Sequence, residues 1–198
     1  MAPVYVDPDK VHPFASAQAF YDWLAKHHDT ETEVWVRIFK KATGTPTINA
    51  VEGIEVVLCW GWIDAIRKSY DDVSFVQRYT RRGPKSLWSQ VNQDNVAKLL
   101  SDGRMTEHGM RHVEAAKADG RWAAAYKMDM PPPEELLAAI EASPKAMEFY
   151  GKLSAQNRFA LTFRTHNLKT AAGRAKRIAS FVEMLENGET IYPQGKKS

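Results

Sequence analysis

Four cations stand within eight residues, Arg78, Arg81, Arg82 and Lys85, beside Ser86, Trp88, Ser89 and Asn92. Guanidinium forks bind carboxylate or phosphate through two parallel hydrogen bonds, so this segment suits an anion. Ser86, Ser89 and Asn92 fall where a helix should begin, and its free amides can join such a site. Trp62 and Trp88 offer flat faces for stacking or for packing beneath an arginine. Strand alternation divides the cluster, with Arg78 and Thr80 pointing one way and Tyr79 and Arg81 the other. The plainer alternative is an edge strand protected by charge, with Trp88 as a core anchor.

Trp60-Gly61-Trp62-Ile63-Asp64 puts a carboxylate on the strand face that carries Trp62 and Ile66. There it needs a partner, and an arginine of the neighbouring strand is the expected one. The structural reading of Asp64 is a buried Asp–Arg pair that fixes the turn. The chemical reading is a catalytic base, for which no second proton-transfer group stands out.

His108 and His112 have the four-residue spacing of metal ligands. Helical geometry sets them opposite the stripe Met110, Val113 and Ala116, hence towards solvent, and no Cys or third His stands at a fitting distance. No metal and no cofactor is expected. Arg164, His166, Lys169, Arg174, Lys176 and Arg177 form a second basic cluster, read first as a solvated helix face. Its sharper reading is help for the hairpin in gripping an anionic ligand or nucleic acid. P-loop, Rossmann glycine, GxSxG and HExxH signatures are all absent, which removes the usual sequence support for nucleotide-dependent and hydrolytic chemistry.

The elements that must position these residues follow from periodicity. Ser16 caps a helix to His28 with Ala17, Phe20, Tyr21 and Leu24 as its stripe. Glu33 to Lys40 alternates as a strand buried on both sides. Asn49 and Glu52 form a capping box for a helix that Gly61 ends. Trp62–Lys68 and Ser74–Arg81 make a hairpin. Helices ending at Gly103 and Gly120 follow, the second capped by Thr106. Met128 to Pro133 reads as a linker, since consecutive prolines stop a helix. Beyond it the chain is helical, over 134–141, 144–153 and a longer stripe from Ala171 to Leu185. The fold class is therefore α+β, a small antiparallel sheet with packed helices followed by a helical C-terminal segment. The expected organisation is residues 1–128, a linker at 129–133, and 134–198.

At 198 residues and 44% hydrophobic the chain can bury a full core, and 26% charged residues with 11% aromatics exclude a largely disordered one. A formal charge of only +3 confines any electrostatic preference to local patches. The single cysteine, Cys59, excludes an intramolecular disulfide and reads as a small buried hydrophobe. The N-terminus lacks the basic region and apolar core of a secretory signal, and no run approaches the ~20 apolar residues of a membrane span. A cytoplasmic protein is the expectation.

Leu58–Asp64, Arg78-Tyr79-Thr80-Arg81-Arg82, and Ser86-Leu87-Trp88-Ser89 with Asn92 resemble the YdeI/OmpD-associated, or bacteriocin-protection, family. Gly103–Thr106, Gly109 and Gly120-Arg121-Trp122 fit its later pattern. Two positions depart from it. Arg81 stands where a proline is expected, and Ala172-Gly173-Arg174 replaces a Glu-Thr-Arg triplet, which puts the role of the C-terminal cluster in doubt. The resemblance implies a bacterial cytosolic protein linked to tolerance of bacteriocins or cationic antimicrobial peptides, and it supplies no reaction. On the residues themselves, Arg78, Arg82, Lys85, Ser86, Trp88, Ser89 and Asn92 are expected to bind an anionic small molecule or an acidic protein segment, with Trp62 and Asp64 organising the pocket. Two other readings stay open: an enzyme with Asp64 as acid/base and arginines clamping phosphate or carboxylate, and a nucleic-acid binder.

Overall fold

The fold is that of a computed structural model, described over residues 4–195. It divides into two compact units between Tyr126 and Lys127.

In the first unit, helix α1 (Ala17–His27) begins where the Ser16 hydroxyl accepts the Ala19 amide at 3.2 Å. Its stripe buries Phe20 and Leu24 against the sheet. The sheet runs β1 (Val11–Pro13), β2 (Glu33–Phe39), β4 (Ser74–Arg81), β3 (Trp62–Ser69) in spatial order. The β2–β4 and β3–β4 pairs are antiparallel, as alternation predicts, whereas β1 joins β2 in parallel. The class is α+β, with a mixed rather than wholly antiparallel sheet. Three residues ending in proline carry too little alternation to announce a strand.

A bulge separates Asp64 from Arg67 on β3. Buried Gln77 serves it: the amide nitrogen donates to the carbonyls of Ala65 (3.3 Å) and Ile66 (3.4 Å), and its oxygen accepts from Arg67 Nε at 3.1 Å. The bulge breaks the face expected to carry Trp62, Asp64 and Ile66 together. Trp62 is buried and Ile66 is exposed.

Helix α2 (Ala50–Cys59) opens on the expected capping box. Asn49 accepts from the amides of Val51 and Glu52, and the Glu52 carboxylate accepts from the Asn49 amide at 2.9 Å. Gly61, at φ 72°, then turns the chain into β3, a conformation that glycine takes without penalty. Helix α3 (Gln90–Ser101) is capped by Ser89, and α4 (Glu107–Ala118) by Thr106. Thr106 also donates to the Cys59 carbonyl at 2.5 Å, fastening the start of α4 to the end of α2. The two helices meet at Gly109, where a Cβ would lie 2.5 Å from the Leu58 and Cys59 carbonyl oxygens. Cys59 is buried among Leu58, Trp88, Val96, Leu99 and Val113, and burial pushes its thiol up to about 11.

The second unit is helical throughout its elements: α5 (Glu134–Glu141), α6 (Pro144–Lys152), α7 (Ala155–His166) and α8 (Ala171–Glu186). Leu136, Ile140, Leu153, Leu161, Phe181 and Leu185 form its core. Much of the C-terminal basic cluster is engaged within the unit. Arg174 Nε donates to Glu135 at 2.8 Å, while Arg164 and Arg177 lie over Tyr192 and Phe181. Among the described residues no helix is long and apolar enough to cross a membrane.

Candidate functional site: an arginine and histidine cleft at the entrance to β3

The residues expected to share one hollow are distributed over several places. Arg78 is drawn across the sheet to Glu33, donating from Nε at 2.7 Å and pairing through Nη2. Lys85 is exposed on the turn after β4. The Ser86 carbonyl accepts from Arg121 Nη1 at 2.9 Å. Ser89 spends its hydroxyl on the Asn92 amide at 3.1 Å, so these two residues start α3. Trp88 is buried, its ring centroid 4.9 Å from that of Trp122.

Arg82 and Trp62 do come together, at a cleft of about 240 Å³. Trp60, Gly61 and Trp62 supply the passage from α2 to β3, and Arg81 and Arg82 the end of β4. His108, Arg111 and His112 project from α4, and His28 and Asp29 follow α1. Backbone contacts hold this frame. The Arg82 amide donates to the Gly61 carbonyl at 3.0 Å, Trp62 Nε1 to the His28 carbonyl at 3.2 Å, and Arg81 Nε to the Glu31 carbonyl at 2.7 Å. Trp62 is thus a core residue whose edge reaches the site.

Arg82 is the unusual member. It is only 3% exposed, and its guanidinium carbon lies 3.8 Å from the centre of the Trp88 ring. Nη1 donates to the Leu87 carbonyl at 3.0 Å, but Nε and Nη2 are buried without a partner. Burial pulls the guanidinium down to about 10, opposed by the Asp64 charge. It therefore stays charged at neutral pH, with two donors unused. Leaving such donors unmet costs about 1–3 kcal/mol or more for a charged group. Asp64 does not meet them: Arg82 Nε and Nη2 have no hydrogen-bond partner, and Asp64 is not part of the cleft lining. Burial pushes the Asp64 carboxyl up, with the Arg82 and Arg67 charges acting in the opposite sense.

The histidines correct the solvent-facing expectation. His108 and His112 are half-buried and line the cleft, because α4 approaches so closely that a Cβ on Gly61 would lie 2.5 Å from His112 Cδ2. Small residues at 61 and 109 were the available signal for that approach. Burial lowers His112, and the Arg82 and Arg121 charges lower it further, so its imidazole is neutral at pH 7. His28 Nε2 lies 3.2 Å from His108 Nδ1, and the two rings pack with Trp60 at centroid distances of 4.7 and 5.8 Å. Among the described residues no group of three or more His, Cys, Asp or Glu is placed to hold a metal.

Compared with known proteins, residues 12–112 match the family described as "Domain of unknown function (DUF8412)". Residues 129–188 match the family described as "Bacteriocin-protection, YdeI or OmpD-Associated". The bacteriocin-protection family expected from the sequence is thus met over the second unit, whereas Trp60–Asp64 and Ser86–Ser89 fall inside the other match. No curated protein and no solved structure matches the chain.

Proposed function

The chain belongs to the DUF8412 family and carries a YdeI/OmpD-associated domain, and from that premise we propose that it is a binding protein for a small anion. The anion occupies the cleft around Arg82. One observation carries this reading: a guanidinium 3% exposed, with two donors unmet, beside a cleft that also holds Arg81 and Arg111. A carboxylate or phosphate that reaches those donors removes an unmet polar requirement and balances the local positive charge. The volume of about 240 Å³ is below the ~300–1,000 Å³ of sites for drug-sized ligands, which favours a compact ligand. The same donors fit the carboxylate of an acidic protein segment.

Binding rather than turnover is the reading because Asp64, the candidate base, stands outside the lining. Nucleic acid is the weaker fit, since Arg174, Arg177 and Arg164 are engaged within the second unit. The bacteriocin-protection description matched by residues 129–188 supports a role in tolerance of bacteriocins as the biological setting.

Calorimetry with sulfate and small carboxylates tests the site. Arg82→Ala should weaken binding by about 1–3 kcal/mol, the scale of a charged hydrogen bond. Arg111→Ala, at an exposed position, should weaken it less. An affinity unchanged by Arg82→Ala would rule the cleft out.

A further inference from the structure

We propose that the cleft takes its anion together with one proton, held by the hydrogen-bonded pair of His28 and His108, so that anion affinity rises as pH falls. The inference rests on the anion-binding reading and adds the regulation of that site.

The pair's geometry fixes the proton count. With His28 Nε2 and His108 Nδ1 3.2 Å apart, one ring must donate and the other accept. His28 Nδ1 also lies 3.0 Å from the Leu24 carbonyl, which only accepts. With both rings neutral, His28 therefore donates from Nδ1 to Leu24 and accepts at Nε2 from His108 Nδ1–H. His108 Nε2 is left with a lone pair, 3.7 Å from a Glu107 carboxylate oxygen. A proton added there preserves both hydrogen bonds and turns that last contact into an attraction. Alternatively, a proton on His28 Nε2 can be shared with His108 Nδ1 after a change of tautomer. A second proton on the pair sets N–H against N–H across 3.2 Å. One proton fits the pair's hydrogen bonding, and a second breaks the bond between the two rings.

The charges around it couple that proton to an anion. Arg81 from β4, Arg82 just after it and Arg111 from α4 oppose an added positive charge, while Asp29 after α1 and Glu107 on α4 favour it. Trp60, from the end of α2, packs on both rings and carries no charge. Burial, then the Arg82 and Arg121 charges, lower His112, so it takes a proton less readily than an ordinary imidazole. Arg111 and Glu107 pair with each other at 3.3 Å, which leaves Arg81 and Arg82 against Asp29 when the cleft is empty. An anion seated among the arginines reverses the balance, so proton and anion each favour the other, by the same factor in both directions.

Sulfate is the suitable probe, because it stays fully ionised throughout the range and any proton taken up must reside on the protein. Calorimetric titration of the full chain with sulfate at about pH 6 and about pH 8 spans imidazole titration in general. In buffers of different ionisation enthalpy it should show affinity about tenfold tighter at the lower pH, with uptake approaching one proton. His108→Gln and, separately, His28→Gln should bring the ratio of the two affinities close to one, with thermal unfolding reporting that each variant is folded. Equal sulfate affinity at both pH values in the unmodified chain overturns the proton coupling and leaves the anion site standing. A pH dependence that persists in both variants overturns the role of the pair. Absence of sulfate binding at either pH overturns the anion site and the coupling together.

Discussion

At the scale of single residues, buried Arg82 and half-buried Asp64 feel each other's charge without forming an ion pair. Asp64 is raised chiefly by burial, so the folded chain holds its proton more tightly than the unfolded chain. Its contribution to stability is then full below the ordinary carboxylate value of about 4 and is lost as pH rises through the raised folded value. Asp64→Asn should therefore raise the melting temperature at neutral pH by a few degrees, with the gain disappearing in acid. A lower melting temperature at neutral pH would show instead that Arg82 depends on the carboxylate. The sequence reveals both residues as candidates, because an arginine and an aspartate near tryptophans are conspicuous in any chain. It does not reveal that Arg78 is diverted to Glu33, since that depends on how β2 registers against β4. The histidine face is also invisible to it, because the periodicity of α4 says which faces differ and not what each one meets.

At the scale of elements, the helix starts were legible because their chemistry is local. Ser16, Asn49, Ser89 and Thr106 each cap within three residues of themselves, and all four caps form. What depended on distant partners was not legible: the parallel addition of β1, and the bulge that Gln77 stabilises from the next strand. The close crossing of α2 and α4 belongs to this scale and makes a sharp prediction. In an ordinary helix interior, Gly→Ala stabilises by about 0.5–1 kcal/mol. At Gly109 the new methyl would meet two backbone carbonyls at 2.5 Å, so Gly109→Ala should destabilise by about 1–3 kcal/mol in denaturant unfolding. It should also displace α4 and with it His108 and His112. A stabilised variant would mean that the helices are less closely apposed than described.

At the scale of the whole molecule, each unit has a core of its own. Leu136, Ile140, Leu153, Leu161, Phe181 and Leu185 belong to the second, and the buried Asn157 ties its last described turn by donating to the Tyr192 carbonyl at 3.0 Å. Residues 127–198 produced alone should accordingly give a helical, cooperative thermal transition by circular dichroism; a broad, non-cooperative melt would contradict an independent core. The proline run near residue 131 lies just beyond the division between the two units. The anion site is the claim on which the account turns. Its most direct test is an amide NMR titration of the full chain with sulfate. We expect shifts concentrated at Trp60, Arg82, His108 and His112 and absent in Arg82→Ala. Shifts scattered over exposed lysines such as Lys85 and Lys176, and unchanged in that variant, would contradict it.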